Sequence, residues 1–159
     1  MTSPAPGADT DASAAVESLE VAFRRVTQLV KRSVTTIATS VHPEMRHAGW
    51  VVFTVVHRGG TDGQPVTVGE IIAETGMDKS VVSRQLRALS DWELVTTSRS
   101  AADARVIVVE PTELARERFR DVRARQREFY RLVLSDWPAA DLRKLEELLN
   151  RLADAITDS

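Results

Sequence analysis

The chain contains no cysteine, which excludes disulfides, thiolate metal sites, cysteine nucleophiles and thiol redox sensing. No apolar run approaches the roughly 18 residues that a membrane span needs. The opening stretch "MTSPAPGADTDAS" has neither the basic nor the apolar segment of a secretory signal, so the cytoplasm is the expected location. A phosphate-binding glycine loop, a nucleophile motif and a metal motif are all missing. No catalytic residue, metal or cofactor is therefore expected, and an enzyme with an unrecognised site is a remote rival. Glu146 and Glu147 are neighbours on a helix, so they diverge and cannot work as a carboxylate pair.

What remains is a chain of 159 residues, 43% hydrophobic and 28% charged. That suits one domain, or two small interlocked ones, with extensive helix surface. The formal net charge is −2, which by itself argues against nucleic acid. Its distribution is uneven. Residues 1–20 carry four acidic groups and no basic ones, and 132–159 have six acidic against three basic. Residues 21–65 have six basic against two acidic, and 111–131 have seven against four. A nucleic-acid surface would have to come from side-chain placement, not bulk charge.

Residues 1–13 have the composition of a disordered tail. From Val16, the positions Leu19, Phe23, Val26, Val30, Val34, Ile37 and Val41 alternate near threes and fours, predicting one long amphipathic helix. His42-Pro43 ends it, and a second helix is expected over Pro43–His57, followed by a loop at 58–65. "TVGE" at 67–70 fits a capping box opening a short helix. Gly76 ends that helix, and Asp78 is an N-cap candidate for the next. On the wheel of that next helix, Val82, Leu86 and Leu89 fall within about 60° of one another, with Ser80, Arg84 and Arg87 opposite. Two short helices joined by a glycine turn make a helix-turn-helix. "LVTTSR" and "RVIVVE" then read as two strands, and Pro111 stops the sheet. Phe119, Val122, Gln126, Phe129 and Val133 keep an approximate heptad among arginines. Pro138 suits the first turn of a last helix, striped by Leu142, Leu145, Leu149, Leu152 and Ile156.

The two flanking long helices have apolar stripes too extensive for the central module to cover. They pack on each other within one chain or, as we favour, on those of a second copy. The hairpin raises a sharper question. Asp103 and Arg105 read most simply as a solvated turn with a weak ion pair. Beside a helix that offers Ser80, Arg84 and Arg87 to a major groove, however, the hairpin would lie over the DNA backbone. Its tip could then place Arg105 in a minor groove, with Asp103 orienting the guanidinium.

The order helix, helix, "TVGEIIAETGMDKSVVSRQLRALSDWELV", hairpin with "DAR", then two helices resembles the MarR family of bacterial transcription regulators. The resemblance covers nearly the whole chain after the tail, and "DKSVVSRQLRAL" and "DAR" are its most specific parts. It implies a mainly α fold with a small β-hairpin wing, a winged helix-turn-helix between long N- and C-terminal dimerisation helices. It also implies a homodimer on pseudo-palindromic double-stranded DNA, usually a repressor, released by a phenolic or anionic small molecule. Carried over, Lys79, Ser80, Val81, Ser83, Arg84 and Arg87 face the major groove, and Arg99, Asp103 and Arg105 form the wing contact. This wing has only Arg99 before "DAR", where the family often has several basic residues. Pro111 stands where a leucine is usual. Regions follow as 1–13 tail, 14–57 N-terminal helices, 58–111 DNA-binding region and 112–159 C-terminal helices.

His42, His47 and His57 lie on or beside the second helix. His42 and His47 are about 140° apart on a helix, poor spacing for a shared metal. Trp50 and Phe53 read first as core. With His47 they are also the candidates to line an effector pocket where dimerisation and DNA-binding parts meet. The rival reading is a winged-helix module that binds protein and not DNA.

Overall fold

A computed structural model of the chain describes residues 8–61 and 64–158. In chain order the elements are α1 (Ala8–Val41), α2 (His47–Thr61), β1 (Val66–Thr67), α3 (Val68–Thr75), α4 (Lys79–Asp91), β2 (Val95–Arg99), β3 (Ile107–Pro111), α5 (Glu113–Val133) and α6 (Ala139–Thr157). The mainly α architecture with a small β wing is the one expected. The chain divides into two units, residues 1–122 and 123–159.

In the first unit, α1 is longer than its apolar pattern requires. It begins at Ala8, so Ala8–Ser13, expected in a disordered tail, are helical; residues 1–7 lie outside the described residues. Its C-terminal part is rich in Ser and Thr, which ordinarily compete with helix formation. Here their hydroxyls donate back to carbonyls one turn earlier: Ser33 to Leu29 at 3.1 Å, Thr35 to Lys31 at 3.2 Å, Thr39 to Thr35 at 3.0 Å. Only this end is packed: Ala38 and Val41 are buried, whereas Phe23 and Val26 are 49% and 55% exposed.

The second helix differs from expectation at both ends. Pro43–Arg46 form a turn, held by the Met45 N–H donating to His42 O at 2.9 Å and by Arg46 Nη1 donating to Pro43 O at 3.1 Å. Met45 is fully buried there, so the turn is anchored in the core. α2 starts at His47 and runs through Gly59 to Thr61, taking four residues of the expected loop. Gly59 lies against β1, where a Cβ would collide with the Val66 side chain. Arg58 pairs with Glu74 of α3.

The helix-turn-helix follows its sequence signals closely. Thr67 Oγ1 accepts from the Glu70 N–H at 3.1 Å while Glu70 Oε2 accepts from the Thr67 N–H at 2.7 Å, so the capping box is complete. These bonds, the backbone one foremost, hold the Glu70 carboxyl below its ordinary range. Gly76 ends α3 at φ 64° and donates its N–H to Ile72 O. Asp78 occupies the N-cap position of α4, but its side chain makes no capping hydrogen bond, contrary to the role expected of it.

The sheet has three strands in the order β1-β3-β2, all antiparallel. Its third member, β1, is a two-residue strand pairing Val66 with Val109 and Thr67 with Val108. Too short to show alternation, it was hidden in the run before the capping box. Pro111 does not stop the sheet: it is the last residue of β3, paired with Val95. It lies beyond the residues β1 pairs, so its missing N–H costs nothing on that side.

The core joins these pieces through Val52, Phe53 and Val56 of α2, Ile71 of α3, Val82, Leu86 and Leu89 of α4, Leu94 of the turn after α4, Val95 and Val109 of the sheet, and Ala115 of α5. The predicted inward face of α4 is thus the buried one. In the second unit, α6 begins after Pro138. Leu142 and Leu152 are half-buried, but Leu149 and Ile156 are 51% and 64% exposed.

Candidate nucleic-acid interface

With Val82, Leu86 and Leu89 pinned inward, the helical period forces the other side of α4 into solvent. Lys79, Ser80, Ser83, Arg84 and Arg87 are exposed, and Val81 is half-buried. Among the described residues, the side chains of Lys79, Arg84 and Arg87 have no hydrogen-bond or ion-pair partner, and the same holds for Arg105. Cations that no carboxylate neutralises in place are available to an external anion.

The outward face of α4 and the wing border a common cleft of about 840 Å³. α4 contributes Lys79, Ser83 and Arg87, α3 contributes Val68 and Ile72, and the wing contributes Arg105. Three cations face one carboxylate, Asp91, among its lining residues. Hydroxyls of Ser83, Ser90 and Thr97 add donors between the charges. The arrangement suits a phosphodiester chain flanked by an α-helix on one side and a hairpin on the other. Sequence reading missed the share of α3 and of Ile107 in this cleft. Their only signal was the capping box that places Val68 and Gly69 at the start of a helix.

At the wing tip, the structure corrects the orienting role expected of Asp103. Asp103 does not orient the Arg105 guanidinium. Its Oδ1 accepts from the Arg105 backbone N–H at 2.9 Å, an Asx-turn that shapes the loop. Arg99 is not free either, because its Nη1 donates to Ala104 O at 3.1 Å.

Two of the three histidines, His42 and His57, go to aromatic stacks. His42 lies on Trp92 with centroids 4.0 Å apart, joining the α1–α2 turn to the end of α4. His57 lies on Phe119 of α5 at 3.7 Å, in a cluster completed by Trp50 and Phe53. No group of three or more His, Asp or Glu residues able to hold a metal occurs among the described residues. The three residues considered for an effector separate: Phe53 is fully buried, Trp50 half-buried, and His47 exposed outside the cluster. None of them lines the cleft. No helix among the described residues is long and apolar enough to cross a membrane.

Three antiparallel strands, a helix-turn-helix and a hairpin flanking its second helix define a winged helix-turn-helix protein. A family model described as the MarR family matches residues 47–106, the stretch from the start of α2 to the wing tip. Over that stretch the chain is similar to the MarR family. An uncharacterized HTH-type transcriptional regulator of Bacillus subtilis (strain 168), YxaD, is 29% identical over 94 residues, 59% of this chain. The match spans 66% of that relative, just under two thirds of its length. Among solved structures, a MarR family protein from Bacillus stearothermophilus superposes with a TM-score of 0.76 at 16% identity, covering 91% of this chain and 97% of that one. The YusO protein from Bacillus subtilis gives 0.64 at 20% identity, covering 94% and 99%. At such identities the structures speak for the fold alone.

Proposed function

We propose that the protein is a sequence-specific double-stranded-DNA-binding transcription regulator that acts as a homodimer. The observation that carries this reading is the set of unpaired cations, Lys79, Arg84, Arg87 and Arg105, distributed over the outward face of α4 and the adjoining wing. α4 enters the major groove, where Ser80, Val81, Ser83, Arg84 and Arg87 reach base edges and Lys79 a phosphate. Arg105 enters the neighbouring minor groove. α1 and the C-terminal helices supply the dimer contact, supported by their exposed apolar stripes. The protein works in the cytoplasm and has no catalytic role.

Its action is repression of transcription, relieved when a small phenolic or anionic effector binds. His47 and Trp50 offer accessible surface to such a molecule, whereas Phe53 would meet it only if the core opened.

The test is binding to the DNA upstream of its own gene, followed by fluorescence anisotropy from low to moderate salt. Each phosphate contact releases counterions, so log affinity should fall steeply and linearly with log salt. Binding that ignores salt, or none to any duplex, would favour a winged-helix module that docks on protein.

A further inference from the structure

The wing tip contains a peptide unit held at both ends. The carbonyl of Ala104 accepts from Arg99 Nη1 at 3.1 Å, and the N–H of Arg105, in the same peptide plane, donates to Asp103 Oδ1 at 2.9 Å. A guanidinium grips one edge of this plane and a carboxylate the other. The loop around it is closed by the Ser100 N–H donating to Val106 O and the Val106 N–H donating to Asp103 O, both at 2.9 Å. The Ala102 N–H adds a bond to Ser100 Oγ at 3.2 Å. A change in the course of the backbone through Ala104 and Arg105 would carry the Arg105 side chain away from the cleft it lines. The two grips oppose that change from opposite edges of the peptide.

We propose that Arg99 is a positioning residue. With Asp103 it clamps the Ala104–Arg105 peptide and sets the direction in which Arg105 is offered to DNA, without itself contacting the duplex. The inference rests on the DNA-binding reading above and changes the part Arg99 plays in it. A loop already fixed in its bound geometry does not lose that backbone freedom on binding, which is worth up to about tenfold in affinity for one residue.

The experiment compares wild type, Arg99→Ala, Arg105→Ala and the double variant on a duplex that the wild type selects from a random-sequence library, across a salt series. In parallel, amide exchange of Arg105 and Val106 is followed by NMR in the DNA-free proteins. Arg99→Ala should weaken binding about fivefold to tenfold while keeping the wild-type salt slope, because no phosphate contact is lost. Arg105→Ala should reduce the slope by about one, and the double variant should bind no more weakly than Arg105→Ala alone. In the free protein, Arg99→Ala should speed exchange at Arg105 and Val106 with the melting temperature unchanged. A slope reduced by about one in Arg99→Ala, additive losses in the double variant, or unaltered exchange would each overturn the clamp. If the wild type selects no duplex, the DNA-binding reading falls, and the exchange rates alone decide whether the clamp exists.

Discussion

The hydroxyl of Thr112 donates to the carbonyl of Glu93 at 2.7 Å, joining the N-cap of α5 to the turn that ends α4. Glu93 has a φ of 59°, the one positive value at a non-glycine position among the described residues. The turn is closed by the Leu94 N–H donating to Leu89 O at 2.9 Å, and Thr112 returns a second bond from its N–H to Leu94 O at 3.1 Å. The same hydroxyl accepts from the Ala115 N–H at 3.1 Å. One threonine thus fixes both the exit of α4 into the wing and the entry of the wing into α5.

This makes opposite predictions for the two residues. Thr112→Ala should destabilise the fold by about 1–2 kcal/mol, since it removes a helix cap and leaves the Glu93 carbonyl without its partner. Glu93→Gly should stabilise it, by up to about 1 kcal/mol, by relieving the left-handed conformation that a Cβ resists. Urea denaturation of the two variants measures both. A Glu93→Gly protein less stable than wild type would mean that the side chain contributes more than the backbone strain costs.

The capping box gives a pH prediction whose sign follows from its bonds. The Thr67 backbone N–H, then its hydroxyl, hold Glu70 below its ordinary 4.5. A depressed carboxylate contributes stability that is fully present above 4.5 and disappears as pH falls through the lower folded value. Glu70→Gln should therefore be less stable than wild type at neutral pH, by about 0.5 kcal/mol once solvent screening is allowed for. The gap should close as pH falls from 4.5 through that lower folded value. A gap that is constant from neutral to acidic pH would show that the charge is not what stabilises the cap.

The helix-turn-helix was legible in the sequence because its signals are local: a capping box, a glycine in the left-handed region and an apolar face at 3.6-residue spacing. The wing strands were legible for the same reason. What escaped detection depends on partners distant in sequence. β1 exists only because Val66 and Thr67 lie beside Val109 and Val108, and Gly59, which sequence alone assigns to a loop, lies within α2 where the Val66 side chain leaves no room for a Cβ. The wing roles were misassigned because Asp103 and Arg105 invite an ion-pair reading at that spacing. Backbone geometry instead turns the carboxylate onto the Arg105 N–H.

The exposed stripe of α6 makes self-association measurable. Leu145 and Leu149 are large apolar residues, 38% and 51% exposed, on one face of a single helix. Replacing both with Asp should yield monomers or aggregates and abolish DNA binding. Sedimentation of the wild type at micromolar concentration is the control. A well-folded wild-type monomer there would remove the homodimer from the proposal.

Arg84 tests which face of α4 reads bases. If its guanidinium meets a base edge, Arg84→Ala should cost about 1–3 kcal/mol on the selected duplex and relax preference at one position of each half-site. A two-fold dimer would place the half-sites roughly 10 bp apart, or a multiple of that. Selection experiments with both proteins report the two quantities together. Unchanged affinity and base preference in Arg84→Ala would mean that another face of the helix meets DNA.

The final prediction separates two ways in which Asp103 could serve Arg105. If the carboxylate held the guanidinium by charge, Asp103→Asn would lose nearly as much as Asp103→Ala. In the structure the acceptor is needed for a backbone N–H, and an asparagine carbonyl oxygen can accept that bond equally well. Asp103→Asn should therefore bind the selected duplex within about twofold of wild type, or more tightly at low salt, because a negative charge near phosphate has been removed. Asp103→Ala should weaken binding by about 1 kcal/mol through loss of the turn. Its effect should be largest on duplexes with A·T-rich flanks, whose narrow minor groove attracts a well-aimed arginine. The comparison is made on A·T-rich and G·C-rich flanks at two salt concentrations. Equal losses in Asp103→Asn and Asp103→Ala would return the carboxylate to the guanidinium and discard the Asx-turn as the reason this aspartate precedes Arg105 by two residues.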